Sequence, residues 1–266
     1  MSLYLKETGT PGAPSIVFLH GIGTSGWMWG RQVAALIDFH CLTVDFPGHG
    51  KSNQVEWRSL ADTAHQIAAI IQTRATYRRA HIVGLSLGGY IALLLLERHA
   101  SLIDHMIISG VTAEPMPNRA LLQPQLWLTS TLMKRPWFVK MQARSLHLPP
   151  DEQAAVKEDL LAMSMQAYRR IWQEAVDFRL SPALRHIINP TLAVAGGNEA
   201  KIITQAVNAI TELLPHAQGA LAPALGHGWN VEAPALFNAM VRAWITDRPL
   251  PAQLQVIQGI GSKSHR

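Results

Sequence analysis

The chain has 266 residues, 48% of them apolar, a formal net charge of +5 and one cysteine, Cys41. That length and apolar content suit a single α/β unit with an insertion, while one cysteine excludes an internal disulfide and a cysteine-built metal site and favours a reducing compartment. The basic surplus is dispersed: its densest clusters are the pairs Arg78, Arg79 and Arg169, Arg170, and no basic stripe alternates with aromatics, which argues against a nucleic-acid partner.

The first residues, MSLYLKE, lack the basic-then-apolar pattern of a secretory leader. The longest aliphatic run, residues 91–96, is far short of the roughly 20 residues that span a bilayer, so a cytoplasmic protein without an integral membrane segment is expected.

In chain order, residues 3–7 alternate as a short edge strand does, and the Gly- and Pro-bearing stretch 8–14 reads as a turn. Residues 15–20 form a doubly buried strand running into the glycine-rich loop that begins at His20 and Gly21, with a helix through Val33 and Leu36 after it. A second buried strand, 41–45, ends in the tight loop Phe46-Pro47-Gly48-His49-Gly50-Lys51-Ser52. A capping pattern at Ser59 and Asp62 starts a helix with Leu60, Ala64, Ile67, Ala68 and Ile71 on one stripe. Strands at 81–85 and 104–110 flank another helix.

The pattern then changes. Residues 113–188 show no buried strand and read as short helices interrupted by Pro117, Pro124, Pro136, Pro149 and Pro150. Strands return at 191–195 and 220–225, the latter placed at an edge by Pro223, and Pro234 opens a last helix. The expected architecture is α/β: a mostly parallel twisted sheet of seven or eight strands, helices on both faces and an inserted helical cap. The core comprises residues 1–112 and 189–248, the cap 113–188, and residues 249–266 a loosely held tail.

The chemistry gathers at strand ends. Gly84-Leu85-Ser86-Leu87-Gly88 follows a β-branched run and precedes good helix formers, the order of a sharp strand–turn–helix elbow that exposes the Ser86 hydroxyl. Glu199 and His227 end two later strands, and in an open parallel sheet the carboxyl ends of strands share one edge. Serine is a poor nucleophile until an imidazole takes its proton, and the imidazole needs a carboxylate to fix its tautomer.

Four motifs in order, His20-Gly21 with its loop, Asp45 through Ser52, Gly84 through Gly89, and Gly226-His227-Gly228, resemble the α/β-hydrolase superfamily over residues 1–247. The resemblance implies a Ser86, Glu199, His227 triad, an oxyanion hole from the backbone N–H groups of Ile22 and Leu87, a cap inserted after the sixth strand and a site between cap and sheet. Glutamate stands where the family commonly has aspartate; Glu114, one strand earlier, is the alternative acid. Where that family usually opens with two antiparallel strands, this chain has room for about one before Ser15, which allows a seven-stranded sheet. A serine at the elbow argues against the family's dehalogenases and epoxide hydrolases, which place aspartate there.

The reading is a serine esterase of the carboxylic-ester class acting on a small, largely apolar substrate through an acyl-enzyme on Ser86. The alternatives are a receptor-like binding protein with little turnover, or a carbon–carbon bond hydrolase or lactonase with the same triad. Candidate substrate contacts are Trp127, Trp137, Phe138, Met141, His147, Met163 and Trp229. His20 and His49 are expected to hold their loops by hydrogen bonds. His65, His81 and His99 share no ligand-like spacing with carboxylates, so neither a metal nor a cofactor is expected.

Overall fold

The computed structural model describes residues 2–145 and 150–257. Five sheet strands precede the insertion: β1 (Leu5–Gly9), β2 (Ser15–Leu19), β3 (His40–Val44), β4 (Ala80–Leu85) and β5 (Ile103–Ser109). Three follow it: β6 (Thr191–Gly196), β7 (Ala217–Ala222) and β8 (Gln255–Ile257). Their spatial order is β1-β3-β2-β4-β5-β6-β7-β8, parallel except for the two edge strands. The chain leaves β2 for β3 on one side and then crosses to β4 on the other, so the carboxyl ends of β2 and β4 adjoin where the winding reverses, the place where open sheets hold ligands.

The sheet has eight strands, but the eighth comes from an unexpected end. One strand precedes Ser15, and the count is completed by β8, which pairs Gln255–Ile257 with Leu221, Ala220 and Gly219. This corrects the loose tail for residues 249–257, where Leu254 is also buried; residues 258–266 lie outside the described residues. It also moves β7 inward from the edge: the strand ends at Ala222, so Pro223 never needs a ladder N–H. With one opening strand fewer, the insertion follows the fifth strand rather than the sixth.

Strand alternation divides the core. In β2, Ile16 and Phe18 pack with Trp29, Phe237 and Met240 on one face, while Val17 and Leu19 pack with Ile67 and Ile91 on the other. The first face is covered by α1 (Gly30–Ala35) and the terminal helix, the second by α2 (Leu60–Arg74) and α3 (Leu87–His99). The Ser59 hydroxyl caps α2 by accepting from Asp62 N at 3.0 Å, and the expected stripe of that helix is buried.

The insertion is built from α4 (Arg119–Leu132), α5 (Pro136–Ser145), α6 (Pro150–Ala162) and α7 (Met165–Val176). Pro124 lies inside α4 and does not interrupt it; one ladder bond is lost, while Leu126 and Leu132 keep the helix packed on the core. Polar side chains fasten the insertion to the sheet domain. Glu174 of α7 accepts from the Trp57 indole at 2.8 Å and from Leu60 N at 2.7 Å, placing a carboxylate at the N-terminus of α2. Asp159 of α6 accepts from the Trp27 indole at 2.6 Å. After β6 come α8 (Lys201–Leu213), the short α9 (Trp229–Glu232) and α10 (Pro234–Ile245).

Candidate active site

Ser86 sits between β4 and α3 with φ 56° and ψ −116°, a conformation that costs an L-residue on the order of 1–3 kcal/mol and is tolerated only where its surroundings enforce it. The enforcement is visible. Ser86 N donates to Ser109 O at 2.8 Å, and the Ser86 carbonyl accepts from Gly89 N at 2.8 Å. A Cβ on Gly88 would lie 2.0 Å from the Leu19 carbonyl oxygen, and one on Gly84 would lie 2.5 Å from the Gly88 oxygen, so only glycine permits β4, α3 and β2 to approach this closely. Among residues 80–93, Ser86 alone is not fully buried.

The loop after β2 comes against this elbow. A Cβ on Gly21 would be 3.7 Å from that of Ser86. Two buried groups set the loop's shape. His20 accepts from Phe46 N through Nε2 at 3.0 Å and lies 2.8 Å from Gly21 O through Nδ1, so Nδ1 carries the proton. Burial lowers its pKa to about 4 and keeps it neutral. Asp45 accepts from Gly26 N and Lys51 N, each at 2.8 Å, clamping the loops after β2 and β3 together. His49 is buried beneath them, its Nδ1 3.0 Å from Pro47 O and its pKa lowered to about 3, chiefly by burial. Both histidines are wholly enclosed by their loops, as expected of holding groups. Ile22 lines the space above Ser86, as does Leu87, whose N–H opens α3 and is one of the donors a helix leaves without an internal partner.

His227 and Glu199 meet at this edge. The Nδ1 of His227 lies 2.5 Å from Glu199 Oε2, and the other carboxylate oxygen accepts from Gly196 N at 2.9 Å. The Glu199 side chain is 1% exposed, against 43% for His227. A carboxylate can only accept, so Nδ1 donates and Nε2 is left as the ring's acceptor. Gly110, at φ 71° beyond β5, lies beside the pair: a Cβ there would stand 2.7 Å from His227 Cε1. Glu114 stands elsewhere, 63% exposed and paired with Arg179 at 2.9 Å, and it makes no contact with the imidazole.

A cavity of about 540 Å³ lies over these groups. Ile22, Ser86, Leu87, Glu199 and His227 form part of one wall; Met133, Phe138, Val156, Leu160, Tyr168 and Trp172 from the inserted helices form another. The lining is mostly apolar. Of the substrate contacts expected from sequence, Phe138 lines the cavity. Trp127, Trp137 and Met141 do not and are exposed, the first two at 60% and 57%. Met163 and Trp229 are fully buried outside the lining, Trp229 donating to Ser109 Oγ at 3.0 Å and packing edge-on against Phe237. His147 lies outside the described residues.

Residue type alone does not tell which face of the inserted helices turns inward. That face has a signal of its own: Tyr168, Ile171, Trp172 and Ala175 fall at the i, i+3, i+4, i+7 spacing of one side of α7, and all four line the cavity.

Known proteins give the same architecture. An AB hydrolase superfamily protein of Gibberella zeae is 28% identical, with 94% of this chain and 86% of that protein covered. A protein provisionally named a carbamate hydrolase from Yersinia enterocolitica is 27% identical, with coverage of 91% and 92%. Among solved structures, a thermophilic esterase from Thermogutta terrifontis superposes with a TM-score of 0.76 over 92% of this chain and 93% of that one, at 20% identity, a likeness of fold alone. The family profile described as alpha/beta hydrolase matches residues 16–240, which takes in every sheet strand except the two edge ones together with the elbow, and the chain belongs to the alpha/beta hydrolase family.

Proposed function

We propose that this protein is a serine hydrolase cleaving carboxylic esters of small, largely apolar substrates, a carboxylesterase-like activity. Ser86 attacks the acyl carbon; His227 Nε2 accepts the serine proton and later returns a proton to the leaving alcohol; Glu199 holds the ring in the tautomer that makes this possible and stabilises its charged form. The N–H groups of Ile22 and Leu87 receive the negative charge of the tetrahedral intermediate, a role whose loss costs on the order of 100- to 1000-fold in rate. Water then hydrolyses the acyl-enzyme. The observation that carries this reading is the 2.5 Å contact of His227 with Glu199 in the wall of the cavity that Ser86 also lines.

Residues 113–188 act as the cap that selects substrate, over a core of residues 1–112 and 189–248 that β8 extends to residue 257. No helix among the described residues is long and apolar enough to cross a membrane. Cys41 is buried, and burial pushes its thiol up to about 12, which suits an unreactive thiol in the cytoplasm.

The test is rapid mixing with a short-chain para-nitrophenyl ester. A burst of chromophore equal to the enzyme concentration is expected from the wild type and none from Ser86→Ala. No burst and no turnover in the wild type would move the protein to the ligand-binding reading, and turnover of a lactone or a carbon–carbon bond in place of the ester would move it to the third.

A further inference from the structure

Net charge is spread less evenly along the chain than its cations are. Residues 115–150 carry Arg119, Lys134, Arg135, Lys140 and Arg144 and no Asp or Glu, while the other 18 cations match the chain's 18 acids, so the whole surplus of +5 lies in this stretch of the insertion. Arg119 is paired with Asp177 at 3.2 Å. Lys134, Arg135 and Lys140 are exposed and make no ion pair among the described residues.

The same stretch carries large apolar side chains on its outside. Trp127, Leu128, Trp137 and Met141 are each at least half exposed, and no other tryptophan among the described residues is exposed. Because α4 ends at Leu132 and α5 begins at Pro136, all four lie within roughly 8 Å of one bend along their helix axes, with Lys134 and Arg135 in the bend itself. A helix on the outside of a globular domain turns polar side chains to solvent; these two turn tryptophan, leucine and methionine outward beside cations. The inner side of the bend belongs to the cavity, which Met133 and Phe138 line, and the Trp137 ring meets that of Phe138 edge-on with centroids 5.7 Å apart. None of the four outer side chains lines the cavity or the smaller hollow beside Trp57, so they project from the bend and do not wall a groove.

Charge and residue type choose the occupant. Cations without acids suit an anionic surface, whereas a second copy docking by the same bend would set Lys134, Arg135 and Lys140 against themselves. Tryptophan rings beside long cationic side chains are the groups that settle at the headgroup layer of a bilayer, the rings at the acyl boundary and the charged ends on the phosphates.

We infer that the α4–α5 bend docks this protein on an anionic lipid bilayer, with Trp127 and Trp137 inserted at the interface and Lys134, Arg135 and Lys140 on the lipid phosphates. The contact is peripheral, and it places the cavity one layer of helices from the lipid. It stands independently of the hydrolase reading, because no catalytic group takes part in it.

The test is co-sedimentation of the full chain, carrying Ser86→Ala so that no lipid is consumed, with vesicles of phosphatidylcholine alone and of phosphatidylcholine and phosphatidylglycerol in equal parts. At low salt, binding to the anionic vesicles should be more than about tenfold tighter, and about 0.5 M salt should remove that advantage. Replacing the three cations together, Lys134→Gln, Arg135→Gln and Lys140→Gln, should weaken binding more than about twentyfold, since each cation near such a surface is worth about fivefold. Trp127→Ser with Trp137→Ser should weaken it more than about fivefold; brominated acyl chains should quench part of the tryptophan fluorescence of the parent and none of that of this variant. Both variants should keep the Tm of the parent, because the side chains replaced are exposed. Absence of binding to either vesicle, equal binding to both, or binding unchanged by both sets of substitutions overturns the proposal. So does a concentration-dependent dimer that the double tryptophan variant abolishes, which would assign the face to a second copy.

Discussion

The two walls of the cavity are built on different principles. The sheet-edge wall is fixed by backbone approaching backbone: a Cβ would fall 2.0 Å from Leu19 O at Gly88, 2.3 Å from Gly226 O at Gly196 and 2.5 Å from Gly88 O at Gly84. No side-chain rotation relieves such contacts. Where glycines of the sheet domain meet the inserted helices, the near atoms are side-chain ends, Leu160 Cδ2 at 2.8 Å from a Cβ on Gly23 and Ala167 Cβ at 3.2 Å from one on Gly48. The inserted helices are held by side-chain hydrogen bonds from Glu174 and Asp159 and leave Trp127 and Trp137 in solvent. The difference teaches where tolerance lies: at Gly84, Gly88 and Gly196 the sheet edge admits no added atom, while the wall from the inserted helices can repack.

The contrast can be broken first at its chemistry. Glu199→Gln should lower kcat by about 10⁴-fold with the fold intact, because a neutral amide neither stabilises the charged ring nor enforces its tautomer. Glu114→Gln, at the exposed Arg179 pair, should stay within about threefold of wild type in the same steady-state assay.

The rigid wall should fail next in stability. Gly88→Ala is expected to cost about 3 kcal/mol or more and show as a large fall in Tm, since the methyl group meets the β2 backbone. Gly30→Ala, in helix α1 with open space around it, should be neutral or gain up to about 1 kcal/mol.

The junction of the two walls should respond to pH. Burial, aided by Asp45 and Glu158 and opposed by hydrogen bonds from Trp27 and Ser25, raises the Asp159 carboxyl from 3.8 to about 6. An acid whose pKa is raised on folding holds its proton more tightly in the folded state. Its contribution to stability is therefore greatest below about pH 4, declines as the pH rises to about 6, and stays reduced above that. Asp159→Asn keeps an oxygen acceptor for Trp27 and removes the decline. The variant should gain on the wild type by at most about 3 kcal/mol between pH 4 and 7, read from denaturant melts at both values. The smallest effect belongs to the exposed face of the insertion, where Trp137→Ser should change stability by less than about 0.5 kcal/mol.

What could be read from the sequence divides along the same line. Ser86, Glu199 and His227 stand in short, glycine-marked segments at strand ends, and strand ends of a parallel sheet converge whatever the rest of the chain does; the structure brings Glu199 and His227 into contact and puts Ser86 in the same cavity. Phe138 and Trp137 are neighbours of similar chemistry, yet one lines the cavity and the other faces solvent, because which side of a short helix turns inward is set by docking rather than composition. Trp229 follows a motif histidine but is drawn into the core by Ser109 and Phe237. Strand β8 is three residues long and owes its existence to its pairing with β7, which no local pattern announces. The role of Asp45 was equally hidden, since clamping Gly26 and Lys51 is a matter of tertiary approach.

The most direct measurement is the site of covalent capture. After treatment with a fluorophosphonate, peptide mass spectrometry of the wild type should find one phosphonyl group, on Ser86, with labelling abolished in Ser86→Ala and slowed in Glu199→Gln. A protein that remains unlabelled, or that carries the group on another residue while Ser86→Ala labels as fast as the wild type, would contradict Ser86 as the nucleophile.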